Sequence, residues 1–443
     1  MNKQAREEIA ARLLTHSRAD QTEVLVNYEN FTLTRFTQNA IHQNVAHSNS
    51  SVSIRAIIDS RTGVAKTNRL DDGSLASAAQ RASELARLAP KDELTPILPT
   101  PSSYETPERA YVKETAVATP QLRAAMSEAI FETAQKEQLW AAGYTTTSAA
   151  GVTLANSSGT RASFDGTDCA LNIKMNAPDS TGFAEFYSSD VRELDPAGSA
   201  TVAASKAVQS RDPVAVAPGK WTVIIEPAAF GELLSYLIDH FSAQSYDEGS
   251  SFLSSGLGKR YAGDNVTIVD DYSHPLAPGM PFDFEGSPTQ KVSLFDGGTA
   301  NAIVTDSYWA KKLSRPNTGH ALPAPNAHGP QASHVVVMPG TRSREELIAG
   351  TKRGLLISRF WYIRTVDQRQ TTVTGMTRDG TFMIENGVLG RGVRNMRFNQ
   401  SLLEALRHCE FARELRRTGG YSYSLVVPTV KVENFCFSSG TDF

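Results

Sequence analysis

The sequence predicts an α+β protein: an N-terminal helix and antiparallel-sheet domain followed by a β-rich C-terminal domain. Three observations lead there. The hydrophobic period changes from 3.6 to 2 after the first helix, the order helix, strands, helix occurs twice before residue 215, and nine of the 21 prolines crowd the stretch from Ser273 to Gly340. Long helices cannot run through that stretch, because each proline removes a donor and clashes with the preceding turn.

Taken in order, residues 2–16 form an amphipathic helix around Ile9, Leu13 and Leu14. Glu23 to Tyr28, Phe31 to Phe36 and Ser51 to Ile57 alternate as strands joined by Asn- and Ser-rich turns. Asp71 and Asp72 open a helix that runs to Leu88 and is stopped by Pro90. Five prolines between Pro90 and Pro107 make residues 90–118 an extended connector. Thr119-Pro120 then pairs an N-cap with proline at the first helical position, and that helix runs to about Gln138. Strands at Gly151 to Ala155 and Cys169 to Met175, and a small-residue helix from Pro196 to Ser210, close the second unit.

The composition shifts at Pro213 to Pro218, which divides the chain into domains 1–215 and 216–443. Beyond it come a strand at Trp221 to Ile225, a helix from Pro227 to about Ala243, strands from Gly354 onward and a last helix from Gln400 to Arg417. Asp296-Gly297-Gly298 and Arg378-Asp379-Gly380 read as hairpin turns, as do the glycines at 387, 390 and 392; Gly375 and Gly380 mark turns.

Composition excludes several classes of function. With 44 basic and 47 acidic residues the net charge is −3, so no broad basic face exists for nucleic acid. Cys169, Cys409 and Cys436 are odd in number and far apart, which fits a reducing, cytoplasmic compartment; no signal peptide or membrane span is present. Gly256-Leu257-Gly258-Lys259-Arg260 lacks the glycine and hydroxyl of a phosphate loop, and no Gly-x-Ser-x-Gly elbow or Cys-x-x-Cys pair occurs. His320, His328 and His334 cluster in a Gly- and Pro-rich loop, but their spacing matches no recurrent ligand pattern. On the helix from Pro227, the residues Phe230, Leu233, Leu234, Leu237, Ile238 and Phe241 form a core face opposite Glu232, Ser235 and Asp239. His240 lies at the edge of that face as a half-buried, hydrogen-bonded residue.

Five segments together resemble the TldD/PmbA family: Arg61 to Asn68, Glu248 to Leu253, Asn317 to Asn326, Gly354 to Tyr362 and Thr372 to Phe382. The resemblance implies a protease built from two related subunits, of which TldD-type chains carry His-Glu-x-x-x-His on the helix matching residues 227–241. Here the aligned positions are Ser235, Tyr236 and His240. A neutral serine is a poor zinc ligand, and a tyrosine cannot replace the carboxylate that activates metal-bound water. The family's third ligand is a cysteine in a glycine-rich setting. Cys436 lies in an alternating, strand-like run, and Cys409 sits on the last helix beside His408, so neither matches.

The resemblance therefore implies a TldE/PmbA-type subunit with no catalytic residue, metal or cofactor of its own, helping to form the chamber in which a zinc-bearing TldD-type partner cuts unfolded or extended peptides. Edge-strand addition, with the β-rich domain as its place, suits such a substrate. His320, Arg359, Tyr362, Thr374 and Arg378, in the best-matching segments, are the candidate substrate contacts. Two alternatives remain: a stand-alone homo-oligomeric peptide-binding protein, and a metallopeptidase whose atypical site recruits His240, the histidine loop and Asp247 or Glu248.

Overall fold

A computed structural model of the chain describes residues 1–420 and 423–441. Its first sheet has six antiparallel strands in the order β3-β2-β1-β4-β5-β6, built from two helix–three strands–helix units. The first unit is α1 (Lys3–His16), β1 (Gln21–Thr37), β2 (Ala40–Ile58), β3 (Arg61–Thr67) and α2 (Asp72–Leu88). After the proline-rich connector and a one-turn helix α3 (Lys113–Ala116), the second is α4 (Pro120–Lys136), β4 (Trp140–Asn156), β5 (Arg161–Asn176), β6 (Thr181–Ser188) and α5 (Pro196–Gln209). They meet where β1 pairs β4, so the sheet reads the same from either edge.

The likeness between the units extends to single residues. Arg6 and Arg123, each four residues into its unit's opening helix, are fully buried and donate from Nε at 3.2 Å to a threonine of the other unit's first strand, Thr153 and Thr34 respectively. Gly63 in β3 and Gly182 in β6 let the closing helix approach. A Cβ at Gly63 would meet the Ala82 carbonyl at 2.2 Å, and one at Gly182 the Ala203 carbonyl at 2.0 Å. The alanines of α2 and α5 supply the matching small faces, Ala78, Ala79, Ala82 and Ala86 in one and Ala200, Ala203, Ala204 and Ala207 in the other.

The eleven-stranded second sheet begins with β7 (Gly219–Ile225) and runs through β8 (Ile268–Asp270), β9 (Val292–Asp296), β10 (Thr299–Ala300) and β11 (His334–Val337). It continues with β12 (Arg353–Asp367), β13 (Thr372–Glu385), β14 (Val388–Gly392), β15 (Met396–Ser401), β16 (Cys409–Thr418) and β17 (Ser424–Gly440). Five of these close a ring, because β7 pairs β12, β12 pairs β13, β13 pairs β15, β15 pairs β17, and β17 returns to β7. Phe360, Phe398 and Phe435 of β12, β15 and β17 are fully buried against one another, with ring centroids 4.7–5.9 Å apart. Helix α6 (Pro227–Ile238) covers β12, β16 and β17. Among the described residues no helix is long and apolar enough to cross a membrane.

Several local expectations are corrected. Glu23 to Phe36 is one continuous strand; Asn27 and Asn30 stay in the ladder, and the turn is at Gln38-Asn39, both at positive φ. The last helix is only α10 (Leu402–Arg407), and Cys409 opens β16 instead, because pairing with β17 overrides the helical preference of those residues. Helix α6 stops at Ile238, and His240 lies in a 3₁₀ turn, 3% exposed, with its Nδ1 lacking any hydrogen-bond partner among the described residues. Arg378-Asp379-Gly380 is no hairpin turn but an irregularity inside β13, where the pairing with β12 slips beside Arg359 and Asp379 takes φ 55°. Gly375 likewise sits inside β13, where a Cβ would press the Phe398 ring at 2.8 Å.

That irregularity aims the Asp379 carboxylate, fully buried, at the first domain. It receives Lys174 Nζ at 3.0 Å and Thr181 Oγ1 at 2.8 Å from the six-stranded sheet, and Arg359 at 3.0 Å from β12. These cations hold its pKa below the usual carboxylate range against the opposing effect of burial. Asparagine tolerates the same backbone conformation, so Asp379→Asn isolates the charge. The variant is expected to lose about 2 kcal/mol in urea unfolding at pH 7, because two partly buried cations lose their counter-ion. The difference should shrink as pH falls through the carboxylate range, where the native aspartate also takes up its proton.

Candidate functional site

The six-stranded sheet ends at β6, which pairs on one side only. Its outer side faces α6 and β12, enclosing a cavity of about 470 Å³ between Phe183 and Glu185 on one wall and Glu232, Ser235, Tyr236 and Arg359 on the other. A second groove of about 740 Å³ continues along β6, sharing Phe183, Glu185, Ala228 and Thr418 with the first.

Charge within the cavity is unevenly balanced. Burial raises the Glu185 carboxyl to about 7 against the pull of Arg359, and raises Glu232 as well. The Arg359 guanidinium lies 4.4 Å from the Phe183 ring and spends one arm on Asp379. Tyr187 reaches Glu185 at 3.5 Å, and burial lifts its phenol far above its ordinary value. Beside them Trp361 and Tyr362 stand 41% and 59% exposed, large aromatic surfaces on a strand whose preceding apolar residues, Leu355 to Ile357 and Phe360, are buried. Tyr362 adopts φ 57°, unfavourable for an aromatic residue, at a slip in the β12–β13 pairing, and Arg364 stacks on its ring at 4.3 Å.

Ser235, Tyr236 and His240 face different surroundings. Ser235 Oγ donates to the Glu232 carbonyl at 2.7 Å, and the Tyr236 hydroxyl to the Ile363 carbonyl at 2.8 Å. Both groups thereby serve the backbone. His240 packs on Phe252 with centroids 5.3 Å apart, and burial lowers its pKa to about 4, so the ring is neutral at pH 7. Among the described residues no three His, Cys, Asp or Glu side chains converge to hold a metal ion, and this donor set does not fit zinc.

The candidate contacts are dispersed. Arg359 and Tyr362 share the cavity with Ser235 and Tyr236. Arg378 lines a different cleft beyond Trp361. Thr374 donates its hydroxyl to the Phe398 carbonyl at 2.8 Å within the β13–β15 ladder. His320 is buried, 3.2 Å from Asp270, whose other oxygen accepts the backbone N–H of His334; His328 stands apart and exposed. Glu185, Phe183 and Tyr187 escaped sequence reasoning. The alternation Phe183-Ala184-Glu185-Phe186 was the available signal, yet it did not disclose which domain the strand would face.

Glu185 binds its proton more tightly in the folded chain than in the unfolded one. The native state therefore carries the extra proton between the ordinary 4.5 and about 7, and stability falls as pH rises through that window. Glu185→Gln removes this dependence. Its stability relative to the parent, read from urea midpoints, should rise across the window and then level off; a flat difference would contradict the assignment.

A family model described as the PmbA/TldA metallopeptidase C-terminal domain matches residues 218–439, and one described as PmbA/TldA metallopeptidase domain 1 matches residues 22–86. The fold is similar to TldE from Thermococcus kodakarensis, with a TM-score of 0.87 and 24% identity over 98% of this chain and 99% of that one. Metalloprotease PmbA of Escherichia coli O157:H7 is 31% identical over 115 residues, 24% of this chain and 25% of the relative. A metalloprotease of Methanothermobacter thermautotrophicus is 24% identical over 201 residues, 43% of this chain and 42% of the relative. The aligned stretches thus span less than half the length of these curated relatives. Matched by the C-terminal model over half its length, and by the first-domain model in addition, the chain belongs to the PmbA/TldD metallopeptidase family.

Proposed function

We propose that this chain is a TldE/PmbA-type, non-catalytic subunit that helps a zinc-bearing TldD-type partner hold unfolded or extended peptides for cleavage. The observation that carries the reading is α6, where Ser235 and Tyr236 stand at the positions of the family's His-Glu pair and turn their hydroxyls to backbone carbonyls. A neutral His240 without companions supplies one donor where a catalytic zinc needs three.

The substrate's place follows from strand edges. Five strands of the C-terminal domain close on themselves and give up their free edges to one another, whereas β6 keeps one. An extended peptide entering the cavity would add its backbone to β6, with Tyr362 and Trp361 offering aromatic surface and Glu185 and Glu232 favouring basic or neutral side chains. Backbone pairing suits a protease of relaxed sequence preference.

Mixing the purified chain with a TldD-type subunit should give a stable complex by gel filtration and a gain in peptidase activity over either chain alone. Failure of both, or stoichiometric zinc or iron in the isolated chain together with hydrolysis by that chain, would sink the proposal.

Tyr362 is exposed, so Tyr362→Ala should leave the melting temperature unchanged while lowering kcat/KM of the complex roughly tenfold, as expected for loss of an aromatic anchor. An unaltered kcat/KM would remove Tyr362 from the substrate site.

A further inference from the structure

The cleft that holds Arg378 is separate from the cavity under α6. It has a volume of about 700 Å³ and lies between the two domains, with Lys174 and Ser210 on one wall and Arg378, Thr381 and Arg394 on the other. Three cations line it. Lys174 is committed to Asp379, whose second oxygen takes Arg359. The Arg378 guanidinium lies 4.6 Å from the Trp361 ring centre with its Nε 3.9 Å from Asp379, and among the described residues it forms no hydrogen bond. Among the described residues the Arg394 guanidinium has neither a hydrogen bond nor an ion pair, although its backbone N–H donates to Val214. The remaining carboxylate in the lining, Asp179, accepts the backbone N–H of Asp212 at 2.9 Å. Among the described residues two guanidinium groups therefore face one carboxylate, which gives this lining a positive surplus.

Thr381 and Ser210 also border the cleft, but both are buried and their hydroxyl oxygens are closed off from its open space. Trp361, Met376 and Val393 supply an apolar part of the lining, beside the polar Ser180, Thr181 and Asn395. Guanidinium forks match a planar carboxylate edge to edge, and the apolar lining suits a hydrocarbon substituent next to it.

We propose that this interdomain cleft binds the carboxylate of a peptide C-terminus, with Arg378 and Arg394 on the carboxylate and Trp361 and Met376 packing the final apolar side chain. The site requires no partner subunit, so it stands or falls apart from the subunit assignment made above.

The test uses fluorescence anisotropy on the full chain alone, with an N-terminally labelled pentapeptide ending in Phe-Leu, as the free acid and as the C-terminal amide. The acid should bind about tenfold or more tightly than the amide, the scale of one charge-assisted contact. Arg394→Gln should weaken the acid about tenfold without moving the melting temperature, since Arg394 supports nothing else in the fold. Arg397→Gln, at an exposed position of β15 outside the cleft, should bind as the parent does. Equal binding of acid and amide, no detectable binding of either, or an unaffected Arg394→Gln would each overturn the proposal. Displacement of the peptide by inorganic phosphate at lower concentration than by acetate would overturn the carboxylate assignment in favour of a phosphate site.

Discussion

One buried carboxylate sets the relation between the two halves of this protein. Asp379 leaves the regular ladder of β13 at a left-handed residue and is gripped from both sides, by Lys174 and Thr181 of one sheet and Arg359 of the other. Further ion pairs follow the same boundary: Glu226 holds Lys206 and Arg344, Asp168 meets Arg417, and Arg55 lies between Glu23 and Glu285. The main hydrophobic clusters stay largely within their own domains. Apolar contact alone would tolerate sliding of one domain on the other, whereas buried charges demand specific partners, because an unpaired one costs several times what a misplaced methyl group does. The ion pairs thereby hold β6 opposite α6 and β12.

That placement also partitions the chemistry. Arg359 lines the cavity beneath α6, its partner Asp379 lines the cleft behind, and Trp361 borders both. A single ion pair thus separates a cavity where Glu185 and Glu232 hold their protons unusually well from a cleft with surplus guanidinium groups. Two distinct binding environments arise from one strand because alternate residues of β12 point to opposite faces and the slips beside Arg359 and Trp361 re-aim them.

The first domain shows a different economy. Its two units share a buried arginine in the opening helix, a glycine in the outer strand and an alanine face on the closing helix, so a single packing solution is used twice. Yet their outer strands have different fates. Gly63 of β3 and Gly182 of β6 both admit a helix, but β6 borders the cavity under α6 and β12, whereas β3 borders a different cavity with Glu285, Asp306 and Trp309.

Local physics made much of this readable without coordinates. Thr119-Pro120 and Asp71 begin helices because their side chains cap free N–H groups, and Gly297-Gly298 turns a hairpin because glycine accepts positive φ. Other features were decided only by tertiary contact. Residues 409–418 became a strand because β17 offered a ladder, Asp379-Gly380 became an interdomain clamp because Lys174 lay across the gap, and His240 lost its hydrogen bond to burial against Phe252. Capping and turn chemistry act over a few residues and are written in the chain. Pairing of strands and burial of charge join residues some two hundred positions apart, as Thr181 and Asp379 are, and take effect only when the whole chain has closed.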